Sequence, residues 1–204
     1  MAMRSRVVVL DFDGTLIDSN RLKYEAFFQL FDGDERHRQV IQAVLAEMLE
    51  ASRYIILEEI LRRLQKTSDD HRRVEVQGLA NRYNEIVLEA AKTCPLITGV
   101  PAVLADLAPM VPLYVSSTTP VDALREIIAS RNWEDYFAGV FGYPAAKAQT
   151  LQEIIKTEQV KSSEVLVVGD GESDRNSARD NGCLFIPVQR DVFPTAAVMR
   201  AVMG

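Results

Sequence analysis

Asp11 and Asp13 end the short apolar run Val7-Val8-Val9-Leu10 and are followed at once by Gly14, Thr15 and Leu16. Two carboxylates two residues apart repel each other unless something cationic is shared between them. A hard ion such as Mg²⁺, held by few carboxylates and completed by water and phosphate oxygens, meets that need. The run before them is too short for a helix and rich in β-branched residues, so it predicts a strand buried on both faces, as in a parallel sheet. The two acids then stand at the strand's carboxyl end, where open α/β sheets hold their ligands. The plainer alternative is a strand followed by a polar turn.

Three later segments repeat this arrangement of a strand ending in polar residues. Pro112 to Thr118 is a β-prone run closing on Ser116, Ser117 and Thr118, and Pro120 opens a helical stretch. A hydroxyl and free backbone N–H groups just ahead of a helix form a phosphate cradle. Ser117, Thr118 or Thr119 would equally serve as an ordinary helix cap. Lys147 precedes Leu151, Ile154 and Ile155, spaced as one helix face. Taken alone, such a lysine reads as a solvated charge. Glu164 to Asp174 returns to the opening pattern: an apolar run, Gly169, then Asp170 and Asp174 four residues apart. Asp174 would also suit the dipole of a helix N-terminus.

In this order the four segments resemble motifs I to IV of the haloacid dehalogenase superfamily of phosphotransferases, in particular its phosphoglycolate phosphatase and β-phosphoglucomutase-like members with a helical cap. The resemblance covers residues 6–19 and about 95–190, and Ala148 follows Lys147 where the family often carries proline or glycine. It implies that Asp11 attacks phosphorus to give an aspartyl-phosphate, with Asp13 as general acid and then general base. Ser116 and Lys147 complete the catalytic set. Gly14, Thr15 and the backbone of Ser117 would lie against the phosphate, Thr15 also bonding within its turn. Asp11, Asp170, Asp174 and the backbone carbonyl of Asp13 would hold Mg²⁺. Dehalogenating relatives lack the acid at position 13 and ion-pumping relatives carry lysine there, so neither activity is expected.

The elements that must position these residues follow from the pattern. Strands are predicted over 7–10, 113–115, 139–141, 165–168 and 184–187, and helices over 101–108, 121–131, 148–157, 173–181 and 193–203. Alternating strands and helices imply an α/β fold with a doubly wound parallel sheet and right-handed crossovers. Residues 18–97 break the alternation with helical spacing over 21–31, 35–50, 53–65 and about 70–92, as in Ile56, Ile60, Leu61 and Leu64. The expected organisation is a core domain of 1–17 and 98–204, with a helical cap domain of 18–97 inserted after the first strand. The cap would close over substrate and exclude water. Within it Arg53, in Ser52-Arg53-Tyr54, suits bidentate capture of a carboxylate or second phosphate. The alternative is that Ser52 caps the next helix and Arg53 is solvated. His37 and His71 lie among charges and read as surface residues.

Composition sets the outer limits. A chain of 204 residues can bury a good core. A formal charge of −6 offers no basic stripe for nucleic acid. Cys94 and Cys183 have no metal-ligand spacing and form no disulfide scaffold. No apolar run reaches the roughly 18 residues of a membrane span, and the opening residues are too few for a signal peptide. The expectation is a cytoplasmic monomer or homodimer acting on a small phosphorylated metabolite. Its activity would be Mg²⁺-dependent phosphatase chemistry. A phosphomutase using the same site, or an idle module binding a phospholigand or a protein, stands as the alternative.

Overall fold

A computed structural model of the chain describes residues 4–31, 33–48, 51–64, 69–189 and 191–204. The chain divides into two units, Met1–Ser19 with Lys92–Gly204, and Asn20–Ala91. The first contains the sheet. Its strands are β1 (Val7–Leu10), β2 (Leu113–Pro120), β3 (Gly139–Tyr143), β4 (Val165–Gly169) and β5 (Leu184–Pro187). They lie in the order β3-β2-β1-β4-β5, and every neighbouring pair is parallel.

Numbering α-helices along the chain, α5 (Val100–Leu107), α6 (Val121–Ser130), α7 (Lys147–Glu158), α8 (Glu172–Asn181) and α9 (Thr195–Met203) belong to this unit. β1 is the middle strand and buries all four residues, as its uninterrupted apolar composition requires. Val7 and Val9 share one core with Leu151 and Ile154 of α7 and Ala178 of α8. Val8 and Leu10 point to the other face and are fully buried too. The chain runs outward from β1 to β2 and β3 on one side, and β4 and β5 complete the other. That reversal opens a crevice at the carboxyl end of β1.

Register decides what meets there. Leu10 pairs with both Val115 and Val168, so the next residues along, Asp11, Ser116 and Gly169, form one row across the crevice. β2 runs five residues past the predicted end at 115, through Pro120, with a register shift between Ser116 and Pro120 where it pairs with β3. The hydroxyl residues 116–119 carry no apolar signal, yet threonine suits an extended chain and β3 supplies the pairing.

Two backbone bonds join the segments that lead into and out of residues 20–91. Asp18 N–H donates to Pro95 O at 2.9 Å and Ile97 N–H to Leu16 O at 3.1 Å, around an antiparallel bridge of Ile17 with Leu96.

The second unit is helical: α1 (Asn20–Gln29), α2 (Glu35–Glu47), α3 (Arg53–Leu64) and most of α4 (Asp69–Thr93). It has its own core, centred on Phe27, Ile41, Val44, Leu57, Ile60 and Leu61. Asp34 caps α2, its Oδ1 accepting from the N–H groups of Arg36 and His37 at 3.0 and 3.2 Å. The predicted helix ends at Glu50 and Gln65 lie outside the described residues. Among the described residues no helix is long and apolar enough to cross a membrane.

Candidate active site

The turn after β1 is built by its backbone. Asp11 N–H donates to Val168 O at 2.9 Å, extending the sheet by one rung. Phe12 O then accepts from Leu16 N at 2.9 Å and Ile17 N at 3.2 Å, while the fully buried Phe12 ring anchors the turn. Gly14 adopts φ 73°, a left-handed conformation that a side chain would strain, and its N–H donates to Ile17 O at 2.9 Å. Thr15 is fully buried and its hydroxyl makes no hydrogen bond. The expected side-chain bond within the turn is therefore absent, because backbone groups already close it.

Asp11 is 6 % exposed. Lys147, first residue of α7, reaches it with Nζ 2.7 Å from Oδ1 and lies 2.6 Å from Asp174 Oδ1. Only 9 % of the Lys147 side chain is exposed, so this is a buried bridge rather than a solvated lysine. Asp174, in the first turn of α8, also accepts from Gly171 N–H at 3.3 Å. Asp170 sits exposed just after β4. Carboxylate oxygens of Asp11, Asp170 and Asp174 all lie within 4.8 Å of one another.

That donor set suits a hard cation. Three oxygens around an octahedral Mg²⁺ at about 2.1 Å would be separated by roughly 3 to 4 Å, inside the observed limit. Electrostatics agrees. The Asp11 carboxyl is pushed up to about 7: burial raises it most, Lys147 pulls against that, and the neighbouring Asp174 and Asp13 add to the rise. Burial likewise raises Asp174 against the pull of Lys147. Lys147 thus leaves the cluster with negative charge still to be matched, and a divalent ion would match it.

Asp13 is held from two sides. Ser19 Oγ donates to its Oδ1 at 2.5 Å and Thr119 Oγ1 to its Oδ2 at 2.6 Å. Neither hydroxyl was expected at the site. Ser116 and Ser117 are buried, and Ser117 Oγ accepts from Thr119 N–H at 3.1 Å. The capping alternative for these hydroxyls does not hold, since α6 has Pro120 at its N-cap and no side-chain cap bond. Arg53 belongs to the helical unit. It opens α3 with its guanidinium 5.1 Å from the centre of the Tyr54 ring, and its buried Nε makes no hydrogen bond. The structure therefore gathers Asp11, Asp13, Lys147, Asp170 and Asp174 at one end of the sheet, adds Ser19 and Thr119, and sets Ser116 in the same row.

The profile of the haloacid dehalogenase-like hydrolases matches residues 8–188. No curated protein matches the chain. Among solved structures, one from Thermotoga maritima classed as a β-phosphoglucomutase superposes with a TM-score of 0.70 at 17% identity, covering 96% of this chain and 91% of that one. One from Haemophilus somnus 129pt, classed as a phosphoglycolate phosphatase, gives 0.69 at 16% identity and covers 98% of each chain. YfnB of Bacillus subtilis, classed as a HAD-hydrolase and bound to magnesium, gives 0.66 at 15% identity and covers 94% and 93%. At such identities these likenesses speak for the fold. The profile spans most of the sequence, and on that ground the chain belongs to the haloacid dehalogenase-like hydrolase family.

Proposed function

We propose that this protein is a Mg²⁺-dependent phosphatase of a small phosphorylated metabolite, working through an aspartyl-phosphate on Asp11. The observation that carries the reading is the buried Asp11 carboxylate, bridged by Lys147 to Asp174 and within ligand distance of Asp170. Asp11, Asp170 and Asp174, with the backbone carbonyl of Asp13, would hold the ion. When bound it would offset the charge of the acids and the phosphoryl group. Asp11 attacks phosphorus, and Asp13, two residues on, passes a proton to the departing oxygen and afterwards takes one from the water that cleaves the intermediate. Ser116, the Ser117 N–H, Gly14, Thr15 and Lys147 would surround the phosphoryl oxygens, whose charge is spread in the transition state. Residues 18–97 would act as the cap, with Arg53 gripping an anionic part of the substrate away from the phosphate.

Phosphate release from a panel of about a hundred phosphomonoesters with Mg²⁺ tests the reading. Turnover of at least one, abolished in a folded Asp11→Asn variant, is the expected result. An Asp11→Asn variant that keeps its turnover refutes the nucleophile. The likeness to the β-phosphoglucomutase-class structure motivates a second reading, mutase chemistry at the same site. It requires an isomerised product in place of free phosphate. An idle binding module would release none from any ester.

A further inference from the structure

Proton transfer needs its donor in a fixed place, and one side of the Asp13 carboxylate is fixed from β2. Thr119 Oγ1 lies 2.6 Å from Asp13 Oδ2. Thr119 is itself held. Its N–H donates to the hydroxyl of Ser117, a residue only 2 % exposed. Behind it, β3 presses so close that a Cβ on Gly142 would fall 2.5 Å from Thr119 O. A β-branched side chain on a pinned backbone has little freedom at χ1, so the direction of its hydroxyl is settled in advance.

We propose that Thr119 is a positioning residue for Asp13, and that it serves the proton step rather than attack on phosphorus. The proposal rests on the phosphatase reading above. In the step concerned, an Asp11 oxygen bonds to phosphorus and the bond from phosphorus to the leaving oxygen breaks. The electron pair of that bond stays on the leaving oxygen, which takes the proton of Asp13. The Thr119 hydroxyl bonds to the carboxylate that supplies the proton, whereas Lys147 is the side chain bonded to the attacking Asp11. Loss of Thr119 should therefore matter in proportion to how much the leaving group needs protonation.

Two esters of similar size separate the roles. Phenolate leaves poorly without a proton and p-nitrophenolate leaves readily. kcat/KM, which reports the steps up to the first irreversible one, is measured on phenyl phosphate and p-nitrophenyl phosphate for the unsubstituted chain, Thr119→Val and Thr119→Ser. Valine keeps the shape and removes the donor; serine keeps the donor. Thr119→Val should lose about tenfold or more on phenyl phosphate and under about threefold on p-nitrophenyl phosphate, a modest share of what general acid catalysis supplies. Thr119→Ser should stay within about threefold of the unsubstituted chain on both esters. Equal losses on the two esters, no loss on either, or a Thr119→Ser as impaired as Thr119→Val overturns the role given to Thr119. If the unsubstituted chain hydrolyses neither of these nor any ester of the panel above, the phosphatase reading fails and this proposal with it. Turnover by that chain together with equal losses sinks the Thr119 role alone.

Discussion

Gly169 offers the most direct test of how tightly the acidic cluster is built. A Cβ placed there would lie 2.4 Å from Asp174 Cγ and 2.6 Å from both its Cβ and Oδ2. Ordinary carbon contacts need at least about 3.5 Å, so Gly169→Ala must move one group by about 1 Å. Asp174 has little room to yield. Its side chain is 3 % exposed, Lys147 holds one oxygen at 2.6 Å, and Gly171 N–H contacts the other. Overpacking of this kind costs about 1–3 kcal/mol. For a chain of about 200 residues, 2 kcal/mol is a drop in melting temperature of about 4–8 °C. The displaced carboxylate should also weaken the ion site, raising the Mg²⁺ concentration for half-maximal phosphate release by about 10-fold or more. Thermal unfolding and a Mg²⁺ titration of activity read the two effects separately. A Gly169→Ala protein with unchanged melting and an unchanged Mg²⁺ requirement would show that the Gly169 to Asp174 approach does not matter, and the reasoning about the cluster fails.

Gly78 provides the contrast: it lies exposed within α4, and a Cβ added there would meet nothing within 4 Å, so Gly78→Ala should stabilise by about 0.5–1 kcal/mol in a denaturant titration. Lys147→Met leaves buried carboxylates without their bridge and should cost about 3–5 kcal/mol in chelator; added Mg²⁺ should recover more stability in this variant than in the unsubstituted protein. Glu59, bonded to Arg62 and Arg63 in α3, is pulled down from 4.5 to about 2 by those hydrogen bonds. Its folded pKa lies below its unfolded one, so its contribution is full above about pH 4.5 and fades as pH falls towards 2. Glu59→Gln should therefore lose about 1 kcal/mol at neutral pH and show a shallower decline in melting temperature between about pH 5 and pH 2.

The strands β1 and β4 are legible because each is a short apolar run buried by the sheet, and burial leaves a compositional trace; β5, half-buried at the sheet edge, is apolar as well. β2 was readable only to Val115, since its last residues are hydroxyl-bearing and owe their extended form to pairing with β3. The acids at 11, 13, 170 and 174 stood out by spacing along the chain. Lys147 was different. Its sequence neighbours mark only a helix start, and its meeting with Asp11 across 136 positions is a product of the fold. The bonds of Ser19 and Thr119 to Asp13 are not legible for the same reason, because a hydroxyl holding a distant carboxylate looks locally like a turn residue or, as for Thr119, a helix cap. In the helical unit, periodicity predicted the helices, but spacing alone does not tell a solvated arginine from one that meets a substrate.

The bridge between Ile17 and Leu96 has an evolutionary consequence. Where the polypeptide departs for its helices and where it comes back are neighbours, tied by main-chain hydrogen bonds. Any excursion with suitably close ends can be spliced between those two points without altering a single rung of the β-ladder. With residues 18–97 as the proposed cap, such modularity would let selectivity diversify by exchange of the inserted segment while the sheet and its acidic cluster stay unchanged.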